Sequence, residues 1–113
     1  MHELSVIIEV AKQVEAIAIE NNITEVDSIV LQIGEISSMI PRYIEECYPA
    51  AVDRTMLEKT KLVIEIVKAT ANCDHCDQVF NIVDSEGHCP ICQTKDWTLL
   101  TGKEFIIKEI IVC

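Results

Sequence analysis

Two short cysteine motifs constrain the fold of this chain more than any other feature. Cys73 and Cys76 form the first C-x-x-C motif, and after twelve intervening residues Cys89 and Cys92 form the second. Four thiolates from two turns at this spacing are the ligand set of a structural zinc site. Such a site leaves no coordination position for water or substrate. The zinc is therefore expected to hold the local structure and to take no part in chemistry.

The same motifs have two alternative interpretations. A pair of disulfides would suit a secreted protein, but nothing else in the sequence is typical of secretion. A redox-active C-x-x-C motif belongs at a strand-to-helix junction, whereas two facing motifs favour a metal. Of the remaining cysteines, Cys47 is expected on the inner face of a helix, and Cys113 is expected to be a free terminal thiol.

The length of the chain limits what it can bury. A chain of 113 residues with 50% hydrophobic residues can form one modest core, and a lobe of ~30 residues needs a metal to fold. No apolar run approaches ~18 residues, and no basic stretch leads into an apolar one at the N-terminus, so neither a membrane span nor a signal peptide is expected. We expect a cytoplasmic protein, because a reducing compartment keeps the six cysteines as thiols or metal ligands.

The charge of the chain bears on its partners. The formal net charge is −10, from 9 basic and 19 acidic residues, and the basic residues form no cluster. Zinc ribbons often bind nucleic acid, but an acidic surface repels phosphate. A nucleic-acid-binding ribbon is therefore disfavoured, and metal ions or cationic partners are favoured.

The hydrophobic pattern predicts two helices. The first begins near Leu4, has its apolar residues at helical spacing and ends near residues 21–22. The second begins at Pro41, because the first helical turn tolerates proline. Pro49 is expected to kink or break this second helix. The predicted inner face of the second helix comprises Ile40, Ile44, Cys47, Tyr48 and Ala51.

Three longer segments are predicted to be strands. Residues 26–33 and 62–68 alternate apolar and polar side chains, and residues 105–112 are apolar on both faces, as in a central or covered strand. A short hairpin is expected around residues 79–82, between the cysteine motifs, and another short strand around residues 97–100. The order of elements predicts an α+β fold, with two helices on one face of a three-stranded sheet. The predicted domains are residues 1–69 plus 101–113 and an inserted four-cysteine zinc-ribbon lobe at residues 70–100.

The N-terminus is a second candidate metal site. The Met1 amine, the His2 amide nitrogen and His2 Nδ1 can form two fused chelate rings, and nitrogen donors in one plane favour Ni(II) or Cu(II). A bulky second residue generally disfavours removal of the initiator methionine, so Met1 is expected to remain. The alternative is that His2 is a solvated side chain near a terminus.

Four segments of the sequence are distinctive: the opening Met-His-Glu-Leu-Ser, the Ile33-Gly34-Glu35 strand end, the two cysteine motifs and the closing residues 102–110. Together they resemble the HypA/HybF family of nickel-insertion accessory proteins for [NiFe]-hydrogenase maturation. The resemblance covers essentially the whole chain. It implies that His2 is the principal nickel ligand, that the Met1 amine and the Glu3 backbone complete the nickel site, and that the four cysteines hold zinc. Residues 54–60 depart from the usual family pattern after the second helix.

The resemblance also implies a function and partners. We expect a non-enzymatic nickel metallochaperone that delivers Ni(II) to a hydrogenase large-subunit precursor, works with the GTPase HypB and in some cases serves urease. The sequence contains no P-loop, so GTP hydrolysis is assigned to the partner. The alternative function is a zinc-ribbon adaptor that binds only proteins. Both a monomer and a homodimer are compatible with the sequence.

His75 and His88 lie in or beside the cysteine motifs and have three interpretations. Either imidazole could replace a thiolate on zinc, could donate a hydrogen bond to sulfur, or could be exposed.

Overall fold

The computed structural model describes residues 2–113, with side chains from Glu3 onward. It contains two helices and six strands within that range. In chain order these are α1 (His2–Glu20), β1 (Val26–Gly34), α2 (Pro41–Val52), β2 (Lys61–Val67), β3 (Thr70–Cys73), β4 (Val79–Asn81), β5 (Trp97–Thr101) and β6 (Phe105–Val112). The strands form two three-stranded sheets, one in the order β2-β1-β6 and one in the order β4-β3-β5. This arrangement confirms the predicted α+β class.

The described chain divides into two compact units. The first comprises the chain as far as Gln32, Met39–Glu65 and Phe105–Cys113, and the second comprises Ile33–Ser38 and Ile66–Glu104. The domain boundaries predicted at residues 70 and 100 stay a prediction.

Helix α1 follows its predicted apolar pattern. Ile7, Val14 and Ala18 are almost completely buried and lie on one face, as the 3.6-residue period requires. The helix ends where the N–H of Ile23 donates to the Ala18 carbonyl at 2.8 Å. Asn22 has a φ of 59°, so the end is a Schellman-type cap with asparagine in the left-handed position.

Helix α2 corrects two predictions. Its buried residues are Ile44, Tyr48 and Val52, four residues apart, whereas the predicted inner-face residue Ile40 is the exposed N-cap. The predicted break at Pro49 is wrong, because the helix continues to Val52. Pro49 lies on the exposed side near the C-terminus of the helix, where water can satisfy the carbonyl that lost its donor.

The central strand of the first sheet is β1, and this corrects the prediction for β6. Residues 28–31 of β1 are all buried, so both faces of this strand are covered. Strand β6 lies at the edge of the sheet, and Ile106 and Ile111 are 50% and 41% exposed. Apolar residues on both faces of residues 105–112 do indicate a strand. The pattern does not show whether other parts of this chain pack against those faces.

A hydrogen-bond network in the first unit joins α2 to β1. The Tyr48 hydroxyl donates to the Thr60 carbonyl at 2.9 Å, and the Thr60 hydroxyl donates to the Val26 carbonyl at 2.7 Å. Both bonds are buried, so they satisfy polar groups that water does not reach.

The second unit has its own small sheet and core. Strand β3 pairs antiparallel with both β4 and β5, and Ala71 lies opposite Phe80 on one side and Leu99 on the other. The sequence analysis predicted the short strand at β5 but not β3. In place of the hairpin expected around residues 79–82, the structure has the single strand β4, which pairs with β3. The buried cluster of this unit comprises Ala69, Ala71, Cys73, Phe80, Ile82 and Cys89.

Candidate metal centre

The two cysteine motifs adopt the same backbone turn. The N–H of Asp77 donates to the Cys73 carbonyl at 3.0 Å, and the N–H of Gln93 donates to the Cys89 carbonyl at 2.8 Å. Asp77 and Gln93 both have a left-handed backbone, with φ of 59° and 63°. Each turn therefore folds back four residues after its first cysteine. This places the first and second sulfur of each motif on one side of the turn.

One further hydrogen bond closes each turn. The Cys73 N–H donates to the Gln78 carbonyl at 2.8 Å, and the Cys89 N–H donates to the Thr94 carbonyl at 2.9 Å. The two motifs thus have equivalent hydrogen bonds at equivalent positions. The repeat in the sequence is a repeat in the structure.

The four sulfurs have the spacing of a tetrahedral metal site. They all lie within 4.8 Å of one another, and the Cys73–Cys92 and Cys76–Cys89 sulfur pairs are each 3.5 Å apart. A tetrahedron with zinc–sulfur bonds of about 2.3 Å separates its sulfurs by about 3.8 Å. The residues present therefore fit a four-coordinate zinc ion with no open position.

The surroundings of the sulfurs favour a cation. The backbone N–H of Cys92 lowers the pKa of Cys89 to about 6, and that of Cys76 lowers the pKa of Cys73. Desolvation inside the cluster raises the pKa of Cys76 to about 12. Hydrogen bonds thus favour the thiolate form of Cys73 and Cys89, while desolvation favours the protonated form of their neighbour Cys76. A divalent cation removes this conflict and releases the remaining protons.

The structure does not place the two nearby histidines in the sulfur cluster. Nε2 of His75 lies 2.9 Å from Oδ2 of Asp96, and Nδ1 of His88 lies 3.2 Å from the Glu86 carbonyl oxygen. The hydrogen bond with Asp96 raises the pKa of His75. Exchange of either imidazole onto zinc stays a prediction.

Residues outside the cysteine motifs support the lobe, and the sequence analysis missed them. The indole N–H of Trp97 donates to the Gly87 carbonyl at 3.0 Å, and the Thr98 hydroxyl donates to Asp74 at 2.7 Å. The lone tryptophan beside the second cysteine motif is the sequence signal that could have predicted its contact, because an indole N–H removed from water needs an acceptor. Further from the sulfurs, the Glu35 carboxylate accepts a hydrogen bond from the Ala69 N–H at 2.9 Å.

The predicted nickel ligands are only partly within the described residues. Met1 and the side chain of His2 lie outside them. Glu3 lies in the first turn of α1, and its side chain is buried. The nickel site therefore stays a prediction at this point.

Comparison with known proteins adds the decisive observation. A family model described as HypA, hydrogenase/urease nickel incorporation, metallochaperone, matches residues 1–112. The chain belongs to the HypA family. Its resemblance to that family, first seen in its sequence motifs, is confirmed.

Curated relatives cover nearly the whole chain. The hydrogenase maturation factor HypA of a Picosynechococcus strain is 31% identical over 110 residues, which are 97% of each chain. That of a Geobacter strain is 34% identical, again over 97% of each chain. This HypA-family chain is therefore similar to hydrogenase maturation factors along nearly its full length.

Solved structures show the same fold. The solution structure of the Ni metallochaperone HypA from Helicobacter pylori matches with a TM-score of 0.67 and 25% identity, over 99% of this chain and 97% of that one. A second HypA solution structure matches with a TM-score of 0.73 and 25% identity, over 100% of this chain and 97% of that one. The family is one of nickel-incorporation metallochaperones for hydrogenase maturation, and the four-cysteine cluster is its metal-binding feature in this chain.

Across the part of the chain that the structure describes, no helix is both long enough and apolar enough to cross a membrane.

Proposed function

We propose that this protein binds Ni(II) at its N-terminus and delivers it to the hydrogenase large-subunit precursor. The observation that carries the proposal is the family match, which includes residues 1–3 as well as the cysteine motifs. The proposed nickel ligands are the Met1 amine, His2 and the backbone of Glu3. Here nickel is cargo, so a site near a chain terminus suits transfer, because the acceptor must be able to reach the ion.

The zinc site has a different proposed role. Cys73, Cys76, Cys89 and Cys92 would hold Zn²⁺ as a closed structural ion, since the four sulfurs leave no open coordination position. No residue of this chain is proposed to catalyse a reaction. We place the protein in the cytoplasm, because thiolate ligands need protection from oxidation.

The proposed partners follow from the proposed delivery. A metallochaperone without its own nucleotide-binding motif needs a partner to couple transfer to GTP hydrolysis, and the GTPase HypB is the partner that the family resemblance implies. The family description names urease beside hydrogenase, so a urease client is a second acceptor within the same proposed function.

Nickel titration of His2→Ala tests the proposal. We expect one Ni(II) per wild-type chain and loss of this binding in His2→Ala, measured by isothermal titration calorimetry, with the zinc content unchanged by mass spectrometry. His88→Ala is the control, because it removes an imidazole elsewhere in the chain. An N-terminal Gly-Ser extension should also abolish binding by moving the amine, whereas the same extension at the C-terminus should not.

The opposite result would assign the protein a different role. If His2→Ala binds nickel as tightly as the wild type, the N-terminal ligand set is wrong. If the wild type binds no nickel but retains its zinc, the protein is a zinc-ribbon adaptor.

A further inference from the structure

The four cysteines of the metal cluster differ in how far solvent reaches them. Cys73 and Cys89, the first cysteine of each motif, are 1% and 0% exposed. Cys76 and Cys92, the second cysteine of each motif, are exposed. Each motif therefore shields its first cysteine and presents its second to solvent. A reagent dissolved in water reaches Cys76 and Cys92 before their buried partners.

Backbone hydrogen bonds distinguish the same two pairs of cysteines. Each first cysteine accepts hydrogen bonds from two backbone N–H groups of its own motif, those of residues 75 and 76 for Cys73 and of residues 91 and 92 for Cys89. At each second cysteine there is one such donor among the described residues, Gln78 for Cys76 and Thr94 for Cys92. Hydrogen bonds to sulfur draw electron density from it and reduce its nucleophilicity. The exposed cysteines are therefore also the less restrained nucleophiles.

Each exposed sulfur lies close to a buried sulfur of the other motif. The sulfur of Cys76 is 3.5 Å from that of Cys89, and the sulfur of Cys92 is 3.5 Å from that of Cys73. A disulfide bond has a length of about 2.05 Å, so each pair has to close by only about 1.5 Å. An oxidised sulfur at Cys76 or Cys92 thus has a thiolate beside it that can form a disulfide.

We propose that Cys76 and Cys92 are peroxide-reactive sites, and that peroxide converts the zinc-binding cluster into two disulfides between the motifs. The thiolate of Cys76 attacks one oxygen of hydrogen peroxide, the O–O bond breaks, hydroxide leaves and the sulfur becomes a sulfenic acid. The thiolate of Cys89 then attacks this sulfur. The S–O bond breaks, a second hydroxide leaves and the disulfide forms. The two sulfurs together lose two electrons, which the two peroxide oxygens gain.

Cys92 and Cys73 react in the same way with a second peroxide. Four thiolates and two molecules of peroxide thus give two disulfides and four hydroxide ions. Zn²⁺ is released, because the thiolate is the metal ligand and a disulfide sulfur carries no charge. The zinc content of this unit therefore responds to peroxide, and this response does not require nickel.

Titration of the full-length, zinc-loaded chain with hydrogen peroxide tests the overall reaction. A chromogenic chelator measures the released zinc, and intact-protein mass spectrometry measures the products. We expect one zinc to be released for about two molecules of peroxide, and a final mass lower than that of the reduced chain by four hydrogen atoms. Retention of zinc in a large excess of peroxide would overturn the proposal. So would oxygen added to the sulfurs in place of disulfides.

Peptide mapping without reduction tests the pairing of the sulfurs. Cleavage after Glu86 separates the two cysteine motifs. Disulfides between the motifs keep the two peptides linked, and tandem mass spectrometry should assign the links to Cys76–Cys89 and Cys73–Cys92. Two unlinked peptides, each with a disulfide inside its own motif, would overturn the pairing.

Alkylation with limiting N-ethylmaleimide tests which sulfurs react first. In the folded, zinc-loaded chain, Cys76 and Cys92 should be labelled at least about ten-fold faster than Cys73 and Cys89. In denaturant with a chelator, all four should react at similar rates, which controls for differences between the peptides. Equal labelling in the folded chain would overturn the assignment of the reactive sites.

Cys113→Ser is the matched control, because it removes an exposed cysteine outside the cluster. Its rate of zinc release by peroxide should differ from that of the wild type by less than about two-fold. If Cys113→Ser prevents zinc release, oxidation begins at the C-terminal thiol and the proposal is wrong. Dithiothreitol and added zinc should restore one zinc per oxidised chain, since disulfides are reducible. Failure to restore it would show irreversible oxidation and would also overturn the proposal.

Discussion

The two units of the chain bury different groups. In the first unit, the completely buried side chains include Ile7, Ile29, Leu31, Ile44 and Leu57, all of them aliphatic. In the second, two of the six residues of the buried cluster are cysteines, and two are alanines. The fully buried apolar area of this cluster comes mainly from Phe80 and Ile82, and partly buried Trp97 and Leu99 pack against it. We therefore expect the first unit to fold on its hydrophobic core and the second unit to require a bound metal.

This difference follows from how each segment is built. Burial of a large aliphatic side chain contributes about 1.5–3 kcal/mol, so several such residues can offset the entropy of ordering a small domain. The second unit has three short strands and two turns around the sulfurs. Because metal binding and folding are coupled in such a unit, its stability should depend on zinc concentration and on pH.

The largest expected effect is loss of the metal from the second unit. Cys73→Ser removes one of the two buried thiols of the cluster. We expect the variant to lose stoichiometric zinc and residues 70–101 to lose ordered structure, because a structural zinc contributes on the order of 10 kcal/mol to a small domain. Zinc analysis and heteronuclear NMR spectra measure both effects.

The control for this experiment is Cys113→Ser, which changes an exposed cysteine outside the cluster. It should keep its zinc and its spectrum. In Cys73→Ser, the signals of α1 and α2 should stay dispersed. If they collapse together with the lobe, the first unit also depends on the metal, and the contrast between the two units is wrong.

The next effect is expected in the core of the first unit. Ile44 is 0% exposed and Ile40 is 47% exposed, so the same substitution can be compared at two positions one turn apart. Ile44→Ala should lower the free energy of unfolding by about 2–5 kcal/mol, because it leaves a cavity. Ile40→Ala should change it by less than about 0.5 kcal/mol. Urea denaturation followed by circular dichroism measures the difference.

Measuring the zinc content of these variants adds a second result to this test. Ile44→Ala should keep one zinc per chain, since its cavity lies outside the second unit. Loss of zinc together with stability would mean that the two units unfold as one cooperative system. The stability of the first unit would then depend on the second.

The parts of the fold that sequence reasoning predicted are those governed by short-range rules. Helical spacing located the buried face of α1, and the spacing of the cysteines located a cluster whose sulfurs lie within 4.8 Å of one another. The Ile33-Gly34-Glu35 segment marks the end of β1, where a side chain at Gly34 would clash with the Gly102 carbonyl oxygen. Each of these features depends on a few neighbouring residues or, for the metal site, on the type of side chain that can bind a metal.

The errors arose where tertiary context decides. Strand β6 is as apolar as a central strand, yet it lies at an edge, because pattern alone does not show what covers a surface. Pro49 remains inside α2 because the packing of Tyr48 and Val52 stabilises the last turn against its local preference. Strand β3 was missed because it is only four residues long and its buried side chains, Ala71 and Cys73, are small, so its alternation is too short to predict a strand. Its pairing with β4 and β5 orders it.

The smallest expected effect concerns a single hydrogen bond in the first unit, and it tests whether that unit depends on anything besides apolar burial. Tyr48→Phe removes the hydroxyl that donates to the buried Thr60 carbonyl and leaves that acceptor without its partner. The free energy of unfolding should fall by about 1–2 kcal/mol at neutral pH. Tyr43→Phe is the control, because the Tyr43 ring is half-buried and its hydroxyl accepts an exposed hydrogen bond from the Arg42 guanidinium.

The same hydroxyl predicts a pH dependence. Burial raises the pKa of Tyr48 from 10.0 to about 12, so the folded state favours the protonated phenol. This contribution to stability is complete below about pH 10 and is lost as the pH rises towards 12, because the unfolded chain ionises first. The stability difference between wild type and Tyr48→Phe should therefore shrink across that interval. In Tyr43→Phe, Tyr48 is the sole remaining tyrosine, since the chain has two, and its absorbance at about 295 nm should titrate near 12. A midpoint near 10 would show that water reaches the hydroxyl, and the bond to Thr60 would then add little to a unit held by its aliphatic core.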